Sequence, residues 1–254
     1  MTTKIKLITF DAFGTLFRPR NGKIGHLYAK EAAKFGMKLE GSLIDKKFRE
    51  SFRNVYKIYH NYGYDSGLSS KEWWSKVIEA TFIEAGIDKR DLLPILPMLS
   101  TNIYKKFTTS EAYELYDETE YVLNELHNVR KIKLGVISNL DERLERILSS
   151  LQIHQYFNFN LLSGKFGVEK PDVKIFKKAL ELGGIKEGNV KQVLHIGDDE
   201  VRDYQGAKNI GINALLIKRT EDTNSKEIIK NTQPNQPEKH HYVIHNLNEL
   251  FNYL

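Results

Sequence analysis

Cysteine is absent from this chain. Its absence excludes disulfides, thiolate metal sites and cysteine nucleophiles, and it fits a reducing compartment. No apolar stretch approaches the roughly 18 residues that a membrane span needs. The opening stretch MTTKIKLITF runs directly into a strand pattern. It leaves no room for a signal h-region or an arginine-rich transit segment, so a cytoplasmic protein is expected, with nuclear entry compatible. Charge of one sign is also scarce: 38 basic against 33 acidic residues give a net charge of only +5. No dense basic stripe of the kind that nucleic-acid binding requires is present. The mild positive excess suits a small anionic substrate better than a polyanion or a membrane surface. No internal repeat is found, and oligomeric state is not legible.

What is present is enough to fold. With 254 residues, 41% of them hydrophobic, the chain can build one large domain or two unequal ones. Ile5 to Phe10 reads as a buried strand ending at Asp11. From about Arg18 to Ala112 the character changes. HLYAKEAAKFG and LIDKKFRESFRNVYKIYHNYG carry apolar residues at helical spacing, and SSKEWWSKVIEATFIEAG adds a serine cap, an early glutamate and a closing glycine. No strand pattern interrupts this section, so residues 18–112 are expected to form an all-helical insertion. From residue 113 onward strands alternate with helices: IKLGVISN, FNFNLLS, VKQVLHIGDD and INALLIK are separated by helical stretches. That alternation implies βαβ crossovers and a parallel sheet. The expected architecture is therefore α/β. Residues 1–17 and 113–254 form a Rossmann-like parallel sheet with helices on both faces, and residues 18–112 form an inserted helical cap. The polar, proline-bearing NTQPNQPEKHH reads as a loop, and its His240-His241 pair as solvated.

Ligands of open α/β sheets sit at the carboxyl ends of the strands. The first strand ends in Asp11, the next in Ser138-Asn139. Lys170 lies in the loop after the third, and the fourth ends in Gly197-Asp198-Asp199. Each has a plain structural reading: Asp11 as a turn cap before Gly14-Thr15, Ser138 as a helix cap, Lys170 as a solvated cation. Together they carry chemistry. Asp11 can act as a nucleophile that forms a covalent intermediate. Thr15 can hold that carboxylate or the substrate oxygens. Lys170 supplies a point charge for a phosphate or carboxylate. Asp198, Asp199 and Asp203 crowd within six positions, and burying like charges side by side is costly unless a cation joins them. An oxygen-only donor set at such an edge suggests Mg²⁺. Within the helical section, Trp73-Trp74 reads as one core ring and one partly exposed ring.

The motifs FDAFGTL, VISN, EKPDVKIF and HIGDDEVRDYQGA, in that order, resemble the four motifs of the haloacid dehalogenase-like hydrolase superfamily. The resemblance spans essentially the whole chain, and the helical section sits where that family places a cap. It implies that Asp11 is the nucleophile and a Mg²⁺ ligand, with the backbone carbonyl of Phe13 and Asp198 as further ligands. Asp203, with Asp199 as a second candidate, would support the metal. Thr15, Ser138, Asn139 and Lys170 would hold the transferred group.

Phe13 departs from the pattern. Phosphatases of this family usually carry an aspartate there, which protonates the leaving oxygen, and phenylalanine has no proton to give. Dehalogenases of the family carry an aromatic at that position, but their fourth motif lacks an acidic cluster like Asp198-Asp199. Three readings follow. The first is a Mg²⁺-dependent phosphatase acting on a small phosphorylated metabolite, slow or narrow without the acid. The second is a 2-haloacid dehalogenase-type hydrolase, and the third a non-catalytic binding protein on the same fold.

Overall fold

The computed structural model describes residues 4–219 and 242–254. The His240-His241 pair and the whole NTQPNQPEKHH stretch lie outside that range. In chain order the strands are β1 (Leu7–Phe10), β2 (Phe17–Pro19), β3 (Tyr113–Leu115), β4 (Lys133–Ser138), β5 (Phe159–Leu162), β6 (Val193–Gly197), β7 (Asn213–Ile217) and β8 (Val243–Ile244). Six of them form one sheet in the order β5-β4-β1-β6-β7-β8. All its pairings are parallel.

From β1 to β7 the parallel strands return through connections that contain helices, and the sheet is covered on both faces. Ile8, Phe10, Leu134, Val136, Leu194 and Ile196 point into one core cluster. Leu7, Ile137, Leu161 and Val193 point into a second cluster together with Ile175, Phe176 and Ala179 of the helix Val173–Gly183. Alternate residues of the same strands thus face opposite layers, as the period of two dictates. Burial on both sides explains the continuous apolar runs.

The topology places the site. From β1 the chain reaches β4 and β5 on one side, then crosses to β6, β7 and β8 on the other. The strand order therefore reverses about β1. A crevice opens at such a switch point, just beyond the carboxyl ends of the strands. Asp11 is the residue immediately after β1.

Between β2 and β3 the chain is helical, with its longer helices at Gly25–Ala33, Gly41–Ile58, Ser70–Glu84 and Leu96–Lys106. The helix Ser70–Glu84 begins with the expected capping box, Ser69 accepting from the Glu72 N–H while the Glu72 carboxylate accepts from the Ser69 N–H. Two differences from expectation stand out. The section from Arg18 is not free of strand: Phe17–Pro19, which straddles the first expected boundary, pairs antiparallel with Tyr113–Leu115, which begins at the second. Three residues per strand are too few for a period-two pattern to be visible. Trp73 and Trp74 are also both buried, at 0% and 8% exposure, so neither ring is partly exposed. Their rings pack edge to face with centroids 4.9 Å apart, in a cluster with Tyr62 and Phe52. No helix among the described residues is long and apolar enough to cross a membrane.

Candidate active site

Asp11 is held at the switch point by backbone geometry. Its N–H donates to the Ile196 carbonyl on β6 at 2.8 Å. The Ala12 carbonyl then accepts from Leu16 at 2.8 Å, closing a tight turn that directs the Asp11 carboxylate away from the sheet. Gly14 sits in this turn at φ +85°. A Cβ there would lie 2.4 Å from Asp198 Oδ2, so glycine is required both for the backbone and for the approach of Asp198.

The side chains converge. Lys170 Nζ donates to Asp11 Oδ1 at 2.6 Å and to Asp203 Oδ1 at 2.5 Å. Ser138 Oγ donates to Asp11 Oδ1 at 3.3 Å. Asp203 Oδ2 accepts from the Asp199 N–H at 3.1 Å. Behind Asp203, His195 lies fully buried, with Nε2 3.1 Å from Asp203 Oδ1 and Nδ1 2.9 Å from Thr9 Oγ1. Asp11, Asp198 and Asp203 each offer a carboxylate oxygen, all within 4.8 Å of one another.

Burial and crowding set the electrostatics. Burial is the largest influence on Asp11 and raises it above the usual carboxylate range, the Lys170 charge opposing and the Asp203 charge adding. Asp198 borders the cavity, yet protein surrounds it on its other sides. Burial, then the charges of Asp11 and Asp203, push it up to about 7. Burial works against ionisation of Asp203 as well. There the Lys170 charge and the contacts from His195 and Lys170 prevail and hold it below the usual range. Burial alone would lower Lys170, but Asp11 and Asp203 raise it to about 12, so it is a permanent cation.

The sequence-predicted residues do not all end up in the same role. Asp11, Phe13, Ser138, Asn139, Lys170, Asp198, Asp199 and Asp203 all border one cavity of about 400 Å³. Thr15 does not: it is fully buried, and its hydroxyl has no hydrogen-bond partner among the described residues. The Asn139 amide is engaged with the backbone of Lys170, donating to its carbonyl at 2.9 Å and accepting from its N–H at 2.8 Å. Its direct effect is to place Lys170. Asp199 caps the following turn, accepting from the Val201 and Arg202 N–H groups at 2.9 and 2.8 Å. Phe13 is 42% exposed, with its ring edge-to-face to Phe17 and Tyr113 at 6.0 and 6.3 Å.

Sequence reasoning missed His195, Asp141 and Arg143. His195 lies within the strand run VLHIGDD, where nothing local marks it as part of a site. Asp141 and Arg143 looked like the polar start of a helix. Asp141 in fact accepts from the Trp74 indole N–H and from Arg143 Nε, and all three are buried. The remaining cavity wall comes from the helical section, including Tyr28, Phe48, Trp74 and Phe107. That section is tied to the strand-end loops. Tyr62 donates to the Asn139 carbonyl at 2.8 Å, and Asn61 donates to the Ser163 carbonyl at 2.8 Å.

A nucleophile-grade carboxylate, a pinned lysine and an acidic trio at the switch point of a parallel sheet define a class of hydrolytic α/β protein. The family model for haloacid dehalogenase-like hydrolase matches residues 5–211, and the chain belongs to that family. It is 35% identical over 214 residues to human haloacid dehalogenase-like hydrolase domain-containing protein 3, covering 84% of this chain and 82% of the human one. Among solved structures it is similar to the putative HAD-hydrolase YfnB from Bacillus subtilis, bound to magnesium, at a TM-score of 0.64 and 14% identity over 98% of both chains. It is similar also to L-2-haloacid dehalogenase from Xanthobacter autotrophicus, at 0.64 and 18% identity over 97% of this chain and 96% of that one. At such identities these two structures establish the fold alone.

Proposed function

We propose that the protein is a Mg²⁺-dependent phosphatase that hydrolyses a small phosphate monoester through Asp11. The observation that carries this reading is the charge balance of the site. Three carboxylates crowd within a few ångströms, two of them on the Lys170 ammonium, and burial with the charges of Asp11 and Asp203 pushes Asp198 up to about 7. A divalent ion answers that imbalance, and carboxylate oxygens are the donors that Mg²⁺ prefers. Asp11 and Asp198 would hold it, with the Phe13 carbonyl as a further donor. Asp203, already engaged by Lys170, His195 and the Asp199 N–H, would support from behind. When bound, the ion would neutralise charge on the phosphoryl oxygens and screen them from the attacking carboxylate.

The chain's own residues do the rest. Lys170 and Ser138 orient the Asp11 carboxylate through Oδ1. Asp11 attacks phosphorus as the bond to the leaving oxygen breaks, giving an aspartyl phosphate and an alkoxide or phenoxide. Water then attacks that phosphorus, phosphate leaves, and the Asp11 carboxylate is restored. Phe13 can neither protonate the leaving oxygen nor activate the water, so both protons pass to and from solvent. Positioning and electrostatics carry most of phosphoryl transfer, so substrates with good leaving groups should still turn over. The direct test is hydrolysis of an aryl phosphate with and without Mg²⁺. Halide release from a 2-haloacid without Mg²⁺ would assign the dehalogenase chemistry in its place.

Metal binding has a stability signature. A ligand that binds only the native state at 100 times its Kd stabilises it by about 2.7 kcal/mol. For a chain of this size that is a rise in Tm of about 5–10 °C. Asp198→Asn should lose most of that rise. Its metal-free Tm should equal or exceed the wild type's, because one of three crowded carboxylates is gone. Differential scanning calorimetry of both proteins checks this. An Asp198→Asn variant that responds to Mg²⁺ as the wild type does would remove Asp198 from the site.

Phe13→Asp tests the missing acid. A well-placed acid is worth 10²–10⁴ in rate; a gain of about tenfold is expected here, since the turn was not built around a carboxylate. Half exposed into the cavity, Phe13 leaves little void when removed, so the fold should tolerate the change. The gain should be larger for an alkyl phosphate than for an activated aryl phosphate, because the poorer leaving group needs the proton more. Equal gains, or none, would show that Phe13 does not stand in an acid's place.

A further inference from the structure

The mechanism above uses one end of the cavity. The other walls are largely aromatic, and Arg143 stands among those rings. Tyr28, Phe48, Phe52, Trp74, Phe107 and Tyr113 all border the space. Phe48 and Trp74 lie nearly parallel, at an interplanar angle of 5°. Arg143 is buried on the same wall, with its guanidinium carbon 3.9 Å from the centre of the Trp74 ring.

The hydrogen bonding of Arg143 is incomplete. Its Nε donates to Asp141 Oδ1 and Oδ2 at 2.9 and 3.0 Å, and its backbone N–H donates to Oδ1 at 3.0 Å. Its terminal nitrogens Nη1 and Nη2 have no hydrogen-bond partner among the described residues. A guanidinium offers five N–H donors in a fixed planar fork. Here one donor is engaged and the other four border a cavity that also holds Asp11. Facing the cavity, these donors are open to a ligand acceptor.

We propose that this chamber binds the leaving group of the substrate, and that this group is a planar aromatic ring bearing a neutral oxygen acceptor that pairs with the Arg143 fork. This rests on the phosphatase reading for what happens at Asp11. The ring follows from the flat aromatic walls, against which stacking and edge contacts outdo aliphatic packing. The oxygen follows from the free N–H groups. Its neutrality follows from Asp141: the ion pair already cancels the arginine's charge, so a carboxylate would bring an uncompensated charge into an apolar chamber. Arg143 is thus a specificity-determining residue for the body of the ester, separate from the group that reacts.

The test compares 4-acetylphenyl phosphate with 4-ethylphenyl phosphate, in the wild type and in a variant carrying both Asp141→Asn and Arg143→Met. The double change removes the ion pair as a unit and strands no charge. Arg143→Lys serves as a second variant that keeps a cation for Asp141 and loses the planar fork. The wild type should favour the acetyl ester in KM by about tenfold beyond the preference the double variant retains. Arg143→Lys should keep only a small part of that preference. Binding is read separately, by titrating acetophenone and ethylbenzene while following tryptophan emission. The chain has two tryptophans, Trp73 and Trp74, and Trp74 borders the chamber. Acetophenone should quench more strongly and at lower concentration than ethylbenzene, and the difference should vanish in both variants. This readout needs neither turnover nor metal. If no ester is hydrolysed while acetophenone binds selectively, the phosphatase reading fails and the chamber assignment stands. If esters turn over with no acetyl preference, or if both variants keep it, the chamber assignment is overturned.

Discussion

Asp11→Asn is expected to lower Mg²⁺-dependent hydrolysis of any phosphate ester by at least about 10³-fold, since the nucleophile and its covalent intermediate go together. The amide is nearly isosteric with the carboxylate. Its oxygen still accepts from Lys170 and Ser138, and Lys170 keeps its second partner, Asp203. Asp11 is also a carboxylate that burial holds above its usual range, so little folding energy depends on its charge. The variant should therefore melt close to the wild type, and circular dichroism should not distinguish the two. Steady-state kinetics on an aryl phosphate, run beside calorimetry, makes the check. A variant that folds and still turns over within tenfold of the wild type would show that Asp11 is not the nucleophile. A wild type with no turnover on any ester would favour a binding role for the same site.

The sheet was legible because its strands are buried on both faces. LITF, KLGVIS and VLHIG are runs that only a covered parallel strand explains, and the helices between them leave one way to connect them. The elements that were not legible are those too short to repeat their pattern. The ribbon of β2 and β3 has three residues a side and no alternation to read. The helical stretch around Asp203 is π-helical over Glu200–Gln205 and runs into Gly206–Lys208, with Asp199 capping its first N–H groups. Trp74 was misjudged for a different reason. Its burial depends on Asp141, which accepts its indole N–H from 67 residues away, and no local window contains both.

The site divides in the same way. Residues that end strands could be found by position, and Asp11, Ser138 and Asp198 were. The partners that fix them could not. Nothing in VLHIGDD says that His195 turns back to Asp203 and Thr9. Nothing in SNLDER says that Arg143 is buried beneath an aromatic wall instead of solvated. Thr15 shows the other side of this: a hydroxyl expected at the site from its motif is fully buried and unpartnered among the described residues. A strand end fixes where a backbone arrives, while the direction of each side chain depends on packing that only the assembled chain supplies.

Lys170→Met is expected to be the most destabilising of these changes. Among the described residues the lysine is the one ammonium that donates to the carboxylates of both Asp11 and Asp203, and it is fully enclosed. Breaking a buried pair by removing one partner typically costs about 3–5 kcal/mol, because a charge is left uncompensated. In a chain of this size that lowers Tm by about 6–20 °C at neutral pH. The pH dependence separates this from a simple packing loss. In the wild type Asp203 is held below its usual range, so it adds stability that is present above the unfolded carboxylate range and lost as pH falls through its folded value. Without Lys170 that contribution shrinks to what His195 still supports. Asp11 then rises further, because the lysine's charge and hydrogen bond were what opposed its burial. A carboxylate raised in the folded state binds more protons there than in the unfolded chain. Stability consequently falls as pH rises through the interval between about 4, the unfolded value, and the raised folded value, near 7 for Asp198. The gap in Tm between the variant and the wild type should therefore be widest near pH 7–8 and narrow on acidification to pH 5. Melting curves of both proteins across that range, without Mg²⁺, make the comparison. A gap that stays constant with pH would mean that Lys170 acts through its aliphatic stem alone, and that the three carboxylates do not share its charge.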